Sequence, residues 1–470
     1  MNEPEPRSPI EPAHIEPAGT MPPRPPLLVR LAVILVIAGF TIFQRFGVSL
    51  GSSGAGAADV SSPGATSVYS IDVALIAQYL LVGSLFVTGS VHLNKPNLIL
   101  FVPCLLIASA SCLLNIQDAS YLSLALLVVA YSPFILSARP RAEINPCGVW
   151  ALRMFSNFAL FCAASGIVQF AAQFVIHQPW LFDFTEYIPE AIRGSGTYNT
   201  VIPVGTGSFS KSNGFFFREP SMFSQITALA LIAEFALLRR FVRIGILSCA
   251  LVLSYSGTGI GVLLIALMFP LGVKSVVRMG VLATLGALAI GTAIGLMGDS
   301  VHLGATLDRV REFNSAGSSG FARFVAPFLV VWEAISVDSW AVIVGHAPDA
   351  WSTLLGYGPG TIARSIARNA GSYEINDPTW AKLTFEYGLL GLACFTALIL
   401  RAVNQSHMPI AIRAALFSTW LIMGGYLLTP QVTAQLYVLA ALWPVSAPQR
   451  QESRYRARPV PPLPVKTSAR

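Results

Sequence analysis

The chain has 470 residues, of which 54% are hydrophobic and only 11% charged, whereas a soluble domain carries roughly 25% charge. Its 30 basic and 23 acidic residues leave a formal charge of +7, too few charges to cover a soluble surface of this size. Composition therefore excludes an ordinary soluble enzyme, a nucleic-acid binder and a disordered chain, and leaves an all-α polytopic membrane protein.

Residues 1–26 are rich in Pro and Glu and lack apolar periodicity. They are expected to form a disordered cytoplasmic tail, because a cleavable signal has a basic start running directly into a short apolar core. Crossing about 30 Å of hydrocarbon takes about 20 helical residues. Apolar runs at 27–43, 71–90, 97–116, 120–137, 148–176, 220–238, 244–256, 257–273, 279–297, 384–400, 410–428 and 431–445 predict twelve crossings. The Ser254–Gly259 stretch splits 244–273 into two; one long continuous helix is the rival reading.

Basic residues favour the cytoplasmic side of a membrane. Placing Arg7, Arg24 and Arg30 inside puts Lys95, Arg139, Arg141, Arg239, Arg240, Arg243, Lys274, Arg278 and Arg401 inside as well. The clusters at 239–243 and 274–278 both belong inside, so two crossings must separate them. The short outer connections hold a single basic residue, Arg45. The resulting layout is helices 1–5 in 27–176, an extracytoplasmic loop at 177–219, helices 6–9 in 220–297, a large extracytoplasmic loop at 298–383, helices 10–12 in 384–445, and a basic, Pro-rich cytoplasmic tail at 446–470. Within the large loop, 321–336 is apolar all round and reads as a helix at the outer interface.

The predicted helices hold almost no ionisable groups at mid-membrane. Arg153 and Glu234 fall near cytoplasmic ends, where long side chains can snorkel. The six cysteines form no CxxC or Cys/His cluster, so neither a disulfide framework nor a metal site is expected, and no cofactor. Chemistry-capable residues are concentrated in the outer segments. This points to a reaction or binding event at the outer surface.

The most informative stretch is 211–225, KSNGFFFREPSMFSQ. Gly214 allows a tight turn, Arg218 and Glu219 put charge at the membrane boundary, and Pro220 suits a first helical turn. A helix N-terminus beside an arginine is a ready anion site; a plain helix start with an Arg–Glu surface pair is the simpler reading.

The stretch resembles the GxFxEPS signature of the O-antigen polymerase and O-antigen ligase-like membrane proteins (Wzy type). Lys211 stands where that family more often has Arg, and Glu219-Pro220-Ser221 matches the EPS part. Ser256-Gly257-Thr258-Gly259 resembles its break between short helices. Gly317-Ser318-Ser319-Gly320 with Arg323 resembles the start of its large loop. Gly356-Tyr357-Gly358-Pro359-Gly360 resembles its GxGPG turn, and Glu386-Tyr387-Gly388-Leu389-Leu390-Gly391 its E-x-G-L-x-G helix start. Many ligase-like members carry His-Asn before the late outer-loop helix; here Asn376-Asp377 stands nearest, which favours a polymerase.

The resemblance implies a helical membrane glycosyltransferase (GT-C-like) in the bacterial inner membrane. It implies metal-independent transfer of a glycan from undecaprenyl diphosphate to a sugar hydroxyl, with ligation to a lipid acceptor as the alternative activity. A chain-length regulator and a flippase are the implied partners, beside membrane lipids. A flippase or other transporter, and an envelope-assembly scaffold, are the competing classes. A leaving diphosphate needs fixed positive charge in partly dry surroundings, and arginine forks suit phosphate oxygens. The lipid-diphosphate candidates are Lys211, Arg218, Arg323, Arg364 and Arg368. Glu219 and Asp377 are the candidate catalytic carboxylates, and Gly214 and Tyr357 the candidate substrate-loop positions.

Overall fold

The computed structural model describes residues 26–49, 70–139, 147–176, 179–189, 191–193, 198–204, 209–269, 320–336, 350–362, 377–406 and 408–443. They are mostly helical. In chain order the helices are α1 (Leu27–Phe40), α2 (Val73–Val87), α3 (Lys95–Leu114), α4 (Tyr121–Tyr131), α5 (Cys147–Ala172), α6 (Pro220–Ala233), α7 (Phe241–Leu253), α8 (Gly257–Leu267), α9 (Ala326–Ser336), α10 (Ala350–Leu355), α11 (Thr379–Asn404), α12 (Ile410–Ile422) and α13 (Pro430–Leu436). π-helical turns extend α6 through Leu238 and α13 through Ala441, and another, Phe321–Val325, leads into α9.

Local chemistry sets many of these ends. Asn94 accepts a hydrogen bond from the Asn97 N–H, and Ser120 from that of Ser123, capping α3 and α4. Pro220 and Pro430 open α6 and α13, where a missing donor does no harm. Helices Lys95–Leu114, Cys147–Ala172, Pro220–Leu238 and Thr379–Asn404 are long and apolar enough to cross a membrane, and several shorter helices are as apolar.

A helix overlaps each predicted span except 279–297, which falls outside the described residues. The split of 244–273 is present: α7 stops at Leu253, Tyr255 turns the chain with a left-handed φ of 46°, and α8 starts at Gly257. The rival continuous helix is thereby excluded. The sequence also predicts that Glu234 snorkels, and this is corrected. Glu234 is fully buried, accepts from Ser156, and is gripped by Arg240, whose Nε lies 3.0 Å from Oε2. The left-handed turn at Arg239 folds the chain back so that Arg240 can reach it.

Two short antiparallel sheets join connections at opposite ends of the bundle. β1 (Gly47–Ser49) pairs with β2 (Ser70–Asp72) between α1 and α2. β3 (Val91–Leu93) pairs with β4 (Leu136–Ala138), joining the segments that follow α2 and α4. At the β3–β4 end, Gln405 accepts from Asn94 at 2.7 Å and donates to the Ala441 carbonyl at 3.1 Å. At the β1–β2 end, Phe46 bridges to Arg193, Gln431 donates to the Gln44 carbonyl at 2.8 Å, and the Ser120 N–H donates to the Pro359 carbonyl at 2.7 Å.

α6 is buried along almost its whole length and packs on α5, α7, α8 and α12. The α6–α8 approach depends on Gly259, because a Cβ there would sit 2.4 Å from the Ser224 carbonyl oxygen. Across the core the Trp420 indole donates to the Tyr131 hydroxyl (2.7 Å), which donates to the Leu427 carbonyl (3.0 Å). Both rings are fully buried, so this chain meets the polar needs of two bulky core residues.

Candidate functional site

The loop ahead of α6 is held by one buried amide. Gln169 Oε1 accepts from the N–H groups of Asn213 and Gly214, both at 3.1 Å, and from the Ser212 hydroxyl at 2.9 Å. Gly214 has φ +64°, and a Cβ there would meet the Phe223 ring at 2.7 Å. A tight turn at 214–216, with Phe215 at a left-handed φ of 65°, then delivers Arg218 and Glu219 to the start of α6, Glu219 being extended.

The SGTG break packs on that start. Thr258 Oγ1 donates to the Ser221 carbonyl at 3.3 Å, and the Gly259 N–H donates to Ser224 Oγ at 3.1 Å. Arg323, in the π-helical turn before α9, donates to Glu219 Oε2 at 3.2 Å, and Ser221 Oγ donates to the same oxygen at 3.0 Å. Two segments far apart in sequence thus meet through one carboxylate.

The GYGPG turn and the EYGLLG segment are likewise one unit. Gly388 breaks α11 with φ 68° and ψ −173°, which frees carbonyls of the preceding turn. The Tyr357 and Gly358 N–H groups donate to the Phe385 and Glu386 carbonyls at 2.9 and 3.1 Å, and Ser111 Oγ donates to the latter at 2.7 Å. The two backbones touch, since a Cβ on Gly356 would lie 2.3 Å from the Glu386 carbonyl carbon.

At the β1–β2 end the start of α6, the turn before α9, Asp377 before α11 and the 423–431 stretch border a cleft of about 230 Å³, open to solvent. Arg45, Arg218, Glu219, Arg323, Asp377, Tyr426 and Gln431 are among its lining residues. Four of them, Arg218, Glu219, Arg323 and Asp377, are sequence-predicted site residues brought together from three stretches of chain. Arg45 was missed. Its only signal was being the one basic residue in the short outer connections, against the general bias.

The electrostatics are those of an anion site. Burial first, and the nearby Arg218 charge second, pull the Arg45 guanidinium below its usual pKa, while Asp72, Tyr198 and Glu219 oppose this. Burial pushes the Tyr198 phenol up to about 12, although Arg45 counters it. The Arg218 guanidinium makes no hydrogen bond or ion pair among the described residues. Asp377, just before α11, accepts from Lys382 Nζ at 2.9 Å through Oδ2.

The other predicted residues stand elsewhere. Lys211 is half-buried and does not line the cleft; its N–H donates to the Ile202 carbonyl. Gly214 and Tyr357, expected in a substrate loop, do not line it either. Gly214 gives room to Phe223, and the Tyr357 ring packs on Phe385 at 5.0 Å. Arg364 and Arg368 lie outside the described residues. No three His, Cys, Asp or Glu side chains gather to hold a metal ion among the described residues.

No family model matches the chain, and no curated protein matches it significantly.

Proposed function

We propose that this chain is a membrane glycosyltransferase that polymerises undecaprenyl diphosphate-linked oligosaccharides into a surface polysaccharide. It would do so on twelve crossings of the bacterial inner membrane, with both termini cytoplasmic and the cleft facing outward. One observation carries the reading: Arg45, Arg218, Arg323, Glu219 and Asp377, delivered by separate stretches of chain, line one cleft at one end of an apolar helical bundle. The sequence resemblance to the Wzy-type proteins supplies the chemistry.

In that chemistry the acceptor hydroxyl oxygen forms a bond to C1 of the donor glycan. The C1–O bond to phosphate breaks, and its electron pair leaves with the lipid diphosphate. Arg218, Arg45 and Arg323 would stabilise that charge where water is partly excluded. Glu219 fixes the Arg323 fork, and Glu219 or Asp377 takes the hydroxyl proton and passes it to water.

The test is reconstitution in liposomes with the host's undecaprenyl diphosphate-linked repeat unit, without nucleotide sugar or added metal. A ladder of longer lipid-linked glycans is expected. Arg218→Ala and Arg323→Ala should each slow its growth on the order of a hundredfold. A wild-type ladder that persists unchanged in both variants would sink the site assignment. With active donor and no ladder, a lipid A acceptor and a flipping assay would separate ligation from transport.

A further inference from the structure

We propose that Asp377 is the carboxylate that takes the proton, and that Lys382 and Glu386 are positioning residues that keep it able to do so. The inference rests on the polymerase reading and names the proton acceptor within that site.

Asp377, Lys382 and Glu386 form a line from the cleft wall into the bundle. Lys382 Nζ lies 2.9 Å from Asp377 Oδ2 and 3.9 Å from Glu386 Oε1, one helical turn further on. The Lys382 side chain is 13% exposed and Glu386 is fully buried. One ammonium is therefore shared between two carboxylates. Glu386 Oε1 and Oε2 are buried with no hydrogen-bond partner among the described residues, near the backbone of Gly360 and Ile362, so Lys382 is the cation that offsets its charge.

The two cleft carboxylates differ in what holds them. Glu219 Oε2 accepts from both Arg323 and Ser221. Two donors therefore hold Glu219, and its task is to fix Arg323. Asp377 accepts from a single donor, the Lys382 ammonium, which also faces Glu386. Its Oδ1 makes no hydrogen bond among the described residues, and lies 2.6 Å from where a Cβ on Gly425 would be. That wall must therefore be glycine for Asp377 to sit as it does. Arg45, Arg218, Arg323, Glu219 and Tyr426 line the same cleft. Around Glu386 stand Lys382, Asp377 and neighbouring Tyr387.

Lys382→Met alone leaves Glu386 buried without its cation and is expected to fold poorly. Lys382→Met with Glu386→Gln removes both charges, and such pairs are often replaced without loss of stability. The reconstituted ladder assay and thermal melting are read together. The double variant should melt close to wild type and keep its KM for the lipid-linked donor, while kcat falls about tenfold or more. Lys382→Arg, which keeps the charge, should retain most of kcat. Asp377→Asn should lose on the order of a hundredfold in kcat.

Full turnover in the double variant would make Lys382 and Glu386 a purely structural pair and overturn the inference. Wild-type turnover in Asp377→Asn would overturn it as well, while the polymerase reading stood. No ladder from the wild-type protein would instead remove the polymerase reading, and this inference with it.

Discussion

Arg45 and Arg218 press two positive charges together at one end of the bundle, with Arg323 set apart by its bond to Glu219. A cleft that holds like charges in partly dry surroundings is stabilised by binding an anion, and arginine forks favour the tetrahedral oxygens of a phosphate. Arg45→Ala should accordingly lower kcat/KM for a diphosphate-linked donor by about ten- to a hundredfold, the worth of one charge-assisted hydrogen bond. Lys211→Ala should stay within about twofold of wild type, since Lys211 does not line the cleft. Equal losses in the two variants, measured by ladder growth, would mean that the cleft is not the donor site. The motifs led to Arg218, Glu219, Arg323 and Asp377 because each stands at or beside a recognisable turn or helix start. Arg45 belongs to no motif, and only folding brings it to Arg218. Gly214 and Tyr357 stand away from the cleft although they belong to motifs, because a motif records a backbone requirement and a ligand contact alike.

At the scale of elements, the kink at Gly388 and the turn at Gly356–Gly360 hold each other in place. The kink frees carbonyls of α11, and the turn supplies N–H donors for two of them. Neither half satisfies its backbone alone, and a buried unpaired group is costly. Gly388 occupies a conformation reserved almost wholly for glycine, and a Cβ there would sit 2.2 Å from the Leu354 carbonyl oxygen. Gly388→Ala should lower the melting temperature by several degrees, reflecting at least ~1–3 kcal/mol of backbone strain. It should also slow turnover by disturbing Glu386. Gly83→Ala, where the new methyl meets nothing within 4 Å, should melt at or slightly above wild type. Similar melting of the two variants would show that the kink is not under this constraint. The existence of both motifs was legible in the sequence as paired glycines. Their union was not, because about 30 residues separate them and only the backbone geometry shows which carbonyls the turn completes.

For the whole molecule, the connections sort into two ends. The described residues of the α1–α2 connection and of 179–219, the α7–α8 break, the GYGPG turn and the 423–429 loop meet at one end. The β3–β4 sheet, Gln405 and the end of α13 meet at the other. Apolar runs led to the apolar helices, because run length is a local property of a chain. What they could not supply is which outer segments touch, since that depends on how α6 is surrounded. The proposed compartment rests on the basic residues, which favour the cytoplasm and fall mostly toward the β3–β4 end. A variant free of native cysteines tests the assignment. Tyr187→Cys places a thiol at an exposed position on the cleft side, and Arg139→Cys places one on the β3–β4 side. A membrane-impermeant maleimide should label the first in intact spheroplasts and the second only after permeabilisation. The reverse pattern would put the cleft in the cytoplasm, where a lipid-linked glycan already carried to the outer leaflet could not reach it. Labelling of both in intact cells would mean that the two ends do not lie on opposite sides of a membrane.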